Sequence, residues 1–209
     1  MDGVLINDMP RHVYAWLKAL KQFNIVKIPK KEFYLKEGAS NKQYLTYILD
    51  SQGIKISEVQ KEKIHNLKLE LFEKKGKTKL YKILKYLQKL KKAKIKMAVA
   101  TGENKKIATA EIHELFPDIF LFIITGDEVK NSKPYPEEYE KAVKGLNAKK
   151  SETIVIENAP FGIQSAKSAG LKVYAIETTL NKKYLSGADM VFKNHNKLFK
   201  QLFKELKIN

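Results

Sequence analysis

The chain has 209 residues, 44% of them hydrophobic, with a formal charge of +17 and no cysteine. Such a length buries a real core, in one domain with a large insertion or in two modest domains. The lack of cysteine excludes a disulfide framework, thiolate metal ligands and a cysteine nucleophile, and no apolar run of about 18 residues offers a membrane-spanning helix.

The opening residues lack the charged-then-apolar plan of a signal peptide, so a cytoplasmic protein is expected. The positive charge comes mostly from lysine and suggests attraction to polyanions or small phosphorylated substrates. The lysines are spread along the chain without a nucleic-acid-binding motif, however, and lysine-rich surfaces also arise from genome composition or growth at high temperature. Nucleic-acid binding through a lysine-rich helix from Lys74 to Lys96 is therefore the weakest functional reading, and salt would weaken it steeply.

In chain order, Asp2-Gly3-Val4-Leu5 reads as the turn after a buried strand, with a carboxylate at the strand's end. From His12 to Lys75 the spacing is helical without clear strands, as in Val13, Trp16, Leu17 and Leu20, then Leu45, Ile48 and Leu49. Gly38 and Gly53 mark turns. A long helix is predicted from Thr78 to Lys91, its apolar stripe being Leu80, Ile83, Leu84, Leu87 and Leu90.

Beyond it, short apolar runs alternate with helices. Met97–Ala100, Ile119–Ile124, Thr153–Ile156 and Val173–Ile176 read as buried strands, and Lys105–Leu115, Glu137–Gly145 and Phe161–Ala169 as helices, the last closed by Gly170. This alternation predicts an α/β fold with a doubly wound parallel sheet. Ligands in such sheets sit beyond the carboxyl ends of the strands.

The residues at those ends are Asp2, Thr101-Gly102, Ser132-Lys133-Pro134 and Glu157-Asn158. A carboxylate, a hydroxyl, an ammonium and an acid-amide pair suit a phosphoryl group and a hard cation, because Mg2+ takes oxygen ligands while lysine and hydroxyl orient phosphate oxygens. Each is weak alone, since a threonine after a strand is usually a helix cap.

Their order makes the set specific. MDGVLIND, VATG, SKPYPEEY and IVIENAPFGIQSAKSAG, taken together, resemble the haloacid dehalogenase superfamily of phosphotransferases, in the subgroup with an all-helical cap inserted just after the first strand. Within it, MPRHVYAW, LKEGASNKQYL and NLKLELF are similar to the β-phosphoglucomutase group and its sugar-phosphatase relatives. The resemblance implies a Rossmann-like core of residues 1–9 and 77–209 and a helical cap of residues 10–76.

It also implies roles. The family's first strand ends in Asp-x-Asp, an attacking aspartate followed by a general acid/base. Asp2 matches the second; the first falls immediately before Met1. The attacking carboxylate and the central strand that carries it are thus expected to lie outside these 209 residues, as in a shortened record rather than a natural pseudoenzyme. Without that strand, apolar on both faces, a groove is expected through the core.

Thr101 and Gly102 match the phosphoryl-binding hydroxyl and amide, and Lys133 the charge-balancing lysine. Glu157 and Asn158, with the Asp2 carbonyl, match the Mg2+ site. Asn158 stands where an aspartate is usual, which predicts weaker metal affinity. Asn7 and Asp8 stand where the group shows aspartate then serine or threonine. His12, Trp16 and Lys68 match substrate-side residues of hinge and cap. Asn41 replaces the arginine that grips a second phosphate in the mutase, with Lys42 or Lys36 as substitutes.

The resulting expectation is a monomeric, Mg2+-dependent phosphomonoesterase acting on a small, sugar-like phosphate through an aspartyl-phosphate. The alternatives are β-phosphoglucomutase activity and an inactive phosphate-binding protein.

Overall fold

The computed structural model describes residues 1–76 and 78–208, leaving aside the side chains of Asn41 and Lys42. The chain starts with a tight turn in which Gly3, at φ 67°, donates to the Ile6 carbonyl at 2.8 Å. Four helices follow: α1 (Met9–Gln22), α2 (Lys30–Leu35), α3 (Asn41–Asp50) and α4 (Glu58–Lys74). Pro10 opens α1, where its missing N–H costs nothing. Ser57 caps α4 in a reciprocal capping box with Gln60. These helices bury a cluster of their own, built on Val13, Trp16, Leu20, Phe33, Leu45, Ile48 and Ile64.

The return from α4 departs from the predicted long helix. Residues 79–81 run extended beside the opening turn, with Asn7 N to Lys79 O at 2.6 Å, Tyr81 N to Leu5 O at 3.2 Å and an antiparallel bridge between Ile6 and Leu80. Helix α5 spans only Leu84–Lys92. Leu80 and Leu84, the first turn of the supposed stripe, are exposed, while Ile83, Leu87 and Leu90 are buried. Pairing with the opening turn outweighs helix propensity here, and the described residues between Lys74 and Lys96 form no single helix that could serve as a basic platform.

The next elements alternate as expected: β1 (Ala98–Thr101), α6 (Lys105–Leu115), β2 (Phe122–Thr125), α7 (Glu137–Gly145), β3 (Ile154–Glu157), α8 (Pro160–Ser168) and β4 (Lys172–Ile176); β5 (Met190–Phe192) and α9 (His195–Glu205) extend the pattern. Ile119 belongs to the turn before β2. Among the described residues the strands form two parallel sheets, β1-β2 and β3-β4-β5. In register, Val99 faces Ile123, Val155 faces Val173, and Ala175 faces Val191.

Layers of side chains cover both faces. Leu87, Leu90, Val99, Ile112, Phe116, Tyr174 and Leu198 form one core layer; Tyr139, Val155, Ile163, Val173 and Leu185 form the other. Between the two sheets lies an apolar slot of about 430 Å³. Ala98, Val99 and Ala100 of β1 line one wall and Ile154, Val155 and Ile156 of β3 the other, with Leu198 and Phe199 of α9 behind. Both β1 and β3 therefore turn an unpaired edge to the slot, which native sheets seldom leave open.

Candidate active site

The carboxyl ends of β1 and β3 flank the mouth of this slot, and Lys133 spans it. Its Nζ is 3.1 Å from the Ala100 carbonyl of β1 and 2.9 Å from Oε1 of Glu157 at the end of β3. Lys133 is 2% exposed. Burial opposes its charge, but Glu157, Tyr139 and Glu138 outweigh burial and lift its pKa well above the usual lysine value. Glu157 behaves in mirror image: burial opposes its ionisation, and Lys133 overcomes that and lowers its pKa. The pair is thus ionised, with Tyr139 donating a further bond to Glu157 Oε1.

Helix α8 begins just after this pair. Gly162 in its first turn lets the helix close onto Glu157, since a Cβ there would lie 2.1 Å from the carboxylate carbon. Asn158 donates its backbone N–H to Glu157 Oε2 at 3.1 Å, and its side-chain amide donates to Glu37 Oε1 at 2.7 Å and to Thr179 Oγ1 at 3.0 Å.

Thr101, the last residue of β1, is buried, and its hydroxyl accepts from the Glu103 amide at 3.3 Å. Gly102 is where the helical unit touches the strands: a Cβ on it would stand 2.4 Å from the Ala39 carbonyl and 2.6 Å from that of Gly38. Only glycine permits that approach. The same segment is pinned by Ser40 N to Ser132 Oγ at 2.8 Å, and Ser132 Oγ donates to Gln43 Oε1 at 2.8 Å.

From the other side, Asp2 enters the chamber, its Oδ1 3.8 Å from His12 Nε2. Burial raises the Asp2 pKa to about 7. Burial, then Lys68 and Arg11, push His12 well below the usual imidazole value, so its ring is neutral. The ring stacks on Phe72 with centroids 4.1 Å apart. Lys68, 1% exposed, holds its amine 5.1 Å from the Phe72 ring centre and 5.5 Å from that of Trp16. Burial lowers its pKa from the ordinary lysine value, and cation–π contact offsets part of that penalty.

The structure therefore brings Asp2, His12, Trp16, Lys68, Thr101, Gly102, Lys133, Glu157 and Asn158 around one chamber of about 70 Å³. Asn7 and Asp8 stay out of it. Asn7 Oδ1 accepts from the Tyr81 hydroxyl at 3.2 Å, while Asp8 pairs with Arg11 at 2.6 Å and accepts from Lys79 N at 3.1 Å, holding the hinge. Lys36 is tied to Glu32 at 2.8 Å and is not among the residues lining the chamber. The side chains of Asn41 and Lys42 lie outside the described residues.

Glu37 escaped the sequence reading. It lines the chamber beside Asn158 and Asp2, and burial raises its pKa to about 8. The available signal was indirect: an amide where a carboxylate is usual asks for a compensating acid elsewhere.

The donor set suits a hard cation. Asp2, Glu37, Glu157 and Asn158 offer oxygens only, and the Asp2–Gly3 backbone lies so close that a Cβ on Gly3 would be 1.9 Å from Asn158 Nδ2 and 2.7 Å from Glu37 Oε1. Among the described residues no three His, Cys, Asp or Glu side chains form a cage by themselves, so the Asn158 amide and backbone carbonyls are needed to complete one. The amide must rotate to present its oxygen, giving up the hydrogen bonds it donates to Glu37 and Thr179.

Comparison with known proteins agrees with this geometry. A phosphorylated carbohydrates phosphatase of Thermotoga maritima is 28% identical over 87% of this chain and 84% of its own. A solved structure from Bacteroides vulgatus, provisionally named a beta-phosphoglucomutase, superposes with a TM-score of 0.88 at 30% identity, covering 100% of this chain and 87% of its own. The beta-phosphoglucomutase of Clostridium difficile superposes with a TM-score of 0.81 at 27% identity over 100% and 96%. A family model described as haloacid dehalogenase-like hydrolase matches residues 1–176, from the opening turn through the end of β4. On that match the chain belongs to the haloacid dehalogenase-like hydrolases.

Proposed function

We propose that the protein is a Mg2+-dependent phosphomonoesterase for a small, sugar-like phosphate, working as a monomer through an aspartyl-phosphate. The observation that carries this reading is Lys133 bridging the ends of β1 and β3 beside Thr101, Gly102 and Asp2. A buried ammonium flanked by a hydroxyl and a backbone amide neutralises and orients a phosphoryl group. Residues 1–9 and 77–209 form the core in this reading, and residues 10–76 the cap.

In this scheme the attacking carboxylate arrives on a strand that fills the slot between β1 and β3. Met1 lines both the slot and the chamber, so a strand running through the slot would deliver its last residue beside Lys133. Attack on phosphorus breaks the ester bond, and Asp2, half-protonated near neutral pH, gives its proton to the leaving alkoxide. The same carboxylate then takes a proton from water as the aspartyl-phosphate is hydrolysed. Neutral His12 stands against Asp2 and keeps it on the leaving-group side. Bound Mg2+ would neutralise charge on the transferring group, held by the Asp2 backbone carbonyl, Glu157 and Asn158. The small chamber excludes bulk water while transfer proceeds.

The test is phosphate release from a panel of sugar phosphates by a chain whose slot strand ends in aspartate. Release that depends on Mg2+ and on Lys133 supports the reading; none from any substrate overturns it. A second reading, β-phosphoglucomutase activity, draws on the buried Lys68 amine in the cap, which faces the chamber and could hold a second phosphate. Rapid formation of glucose 6-phosphate from β-glucose 1-phosphate, with little free phosphate, would select it.

A further inference from the structure

The Mg2+ ligands proposed above, Asp2, Glu157 and Asn158, come from the core alone, and one of them is an amide. Against that amide the cap sets a carboxylate. Glu37 stands two residues after helix α2 and is 5% exposed. Its Oε1 accepts from Asn158 Nδ2 at 2.7 Å and its Oε2 from Thr179 Oγ1 at 3.3 Å. Both partners are neutral, and among the described residues Glu37 joins no ion pair with a lysine, arginine or histidine. Its charged neighbours include two further carboxylates, Asp2 and Glu157. Ionising a third carboxylate in this buried group is costly unless a cation joins them.

Its placement is also built in. Gly38 follows at φ 95°, and a Cβ there would press 3.0 Å from Lys133 Cδ, so the chain turns directly against the phosphate-side lysine. Ser40 then anchors the segment to Ser132. Glu37 therefore reaches the core only while this strap is seated. Opening the cap withdraws it.

We infer that Glu37 is a cap-borne ligand that supplies the carboxylate Asn158 lacks, so that the divalent-cation site is complete only when the cap is closed. This rests on the proposed Mg2+ site. Cation affinity and cap closure are then two faces of one equilibrium, each strengthening the other by the same factor. The cation draws the strap down, and the seated strap holds the cation.

The experiment is Mn2+ binding, followed by electron paramagnetic resonance, on the 209-residue chain and on Glu37→Gln, Asn158→Asp and the double variant. Glu37→Gln keeps the hydrogen-bonding shape and removes only the group that can ionise, so folding is preserved, and thermal melting verifies it. It should weaken Mn2+ binding about tenfold or more, and Asn158→Asp in the same chain should restore most of the loss. In parallel, Mn2+ should slow amide hydrogen exchange at residues 36–40 in the wild type and leave it unchanged in Glu37→Gln. Binding by Glu37→Gln within about twofold of wild type, or exchange in the strap indifferent to Mn2+, would overturn the inference while leaving the core cation site intact. A wild-type chain that binds no Mn2+ at millimolar concentration would overturn the cation site itself, and the inference with it.

Discussion

Two adjoining regions share Met1 and are built to opposite standards. The chamber at the strand ends is small and closely satisfied: Lys133, Glu157, Asn158 and Tyr139 all have partners, glycines at 38 and 162 bring backbone against side chains, and Gly102 brings backbone against backbone. The slot behind it is large and apolar, and it leaves the edges of β1 and β3 unpaired. The chamber depends on geometry fixed at the rim, by salt bridges and caps. The slot depends on main-chain pairing through the middle of the sheet. A polar site can thus keep its arrangement even where the sheet beneath it is divided.

Filling the slot should have the largest effect. Cavities cost about 24 cal/mol per Å3, so a closed void of this size would be worth of order 10 kcal/mol, and a slot partly open to solvent still several. An apolar strand ending in aspartate, fused before Met1, should raise the melting temperature by roughly 10 °C or more. An unchanged melting point would show that the two half-sheets need no partner between them.

Next comes the rim. Lys133→Ala leaves Glu157 and Glu138 buried without their cation and should cost about 3–5 kcal/mol in denaturant unfolding. Trp16→Ala tests the cap: it opens a void under His65 and Tyr44 and should cost about 3 kcal/mol. If cap and core are separate units, hydrogen exchange should rise in α1–α4 and stay unchanged in β3–β5.

Gly102→Ala should alter stability little and closure greatly. Its new Cβ meets the carbonyls of Gly38 and Ala39, which cannot swing aside as a flexible side chain could. Exchange at residues 36–40 should therefore rise.

The smallest effect is where the end of α9 meets β4. Tyr174, then Gln201 and Lys172, hold the Glu205 carboxyl at about 2, below its unfolded value of about 4.3. A depressed pKa stabilises the fold above about pH 4.3, and the contribution is lost as pH falls toward about 2. Glu205→Gln should lose under about 1 kcal/mol at pH 7, with the gap closing in acid; a gap that widened would contradict the assignment.

Strands β1, β3 and β4 and the polar residues at their ends were legible because a buried parallel strand is a short apolar run, and the residue after it has few other duties. Strand β5 was not, since its three residues bury only Phe192 deeply. Helix α9 carries Leu198, Phe199 and Leu202 at helical spacing, a signal that was present and went unread. The supposed helix from Thr78 failed because Leu80 has the right spacing but pairs with Ile6, a contact that periodicity does not encode. Glu37 was hidden for a similar reason: its significance lies in Asn158, far away in sequence and 2.7 Å away in space.

The central claim is that the chamber is a phosphoryl-transfer site served by a carboxylate at the end of the slot strand. The most direct measurement is Mg2+-dependent phosphate release by the strand-extended chain ending in aspartate, beside the same chain ending in asparagine. The account predicts steady turnover of a sugar phosphate by the first and a loss of at least about a thousandfold in the second, as expected when a covalent nucleophile is removed. Equal rates in the two chains, or none in either, would contradict it.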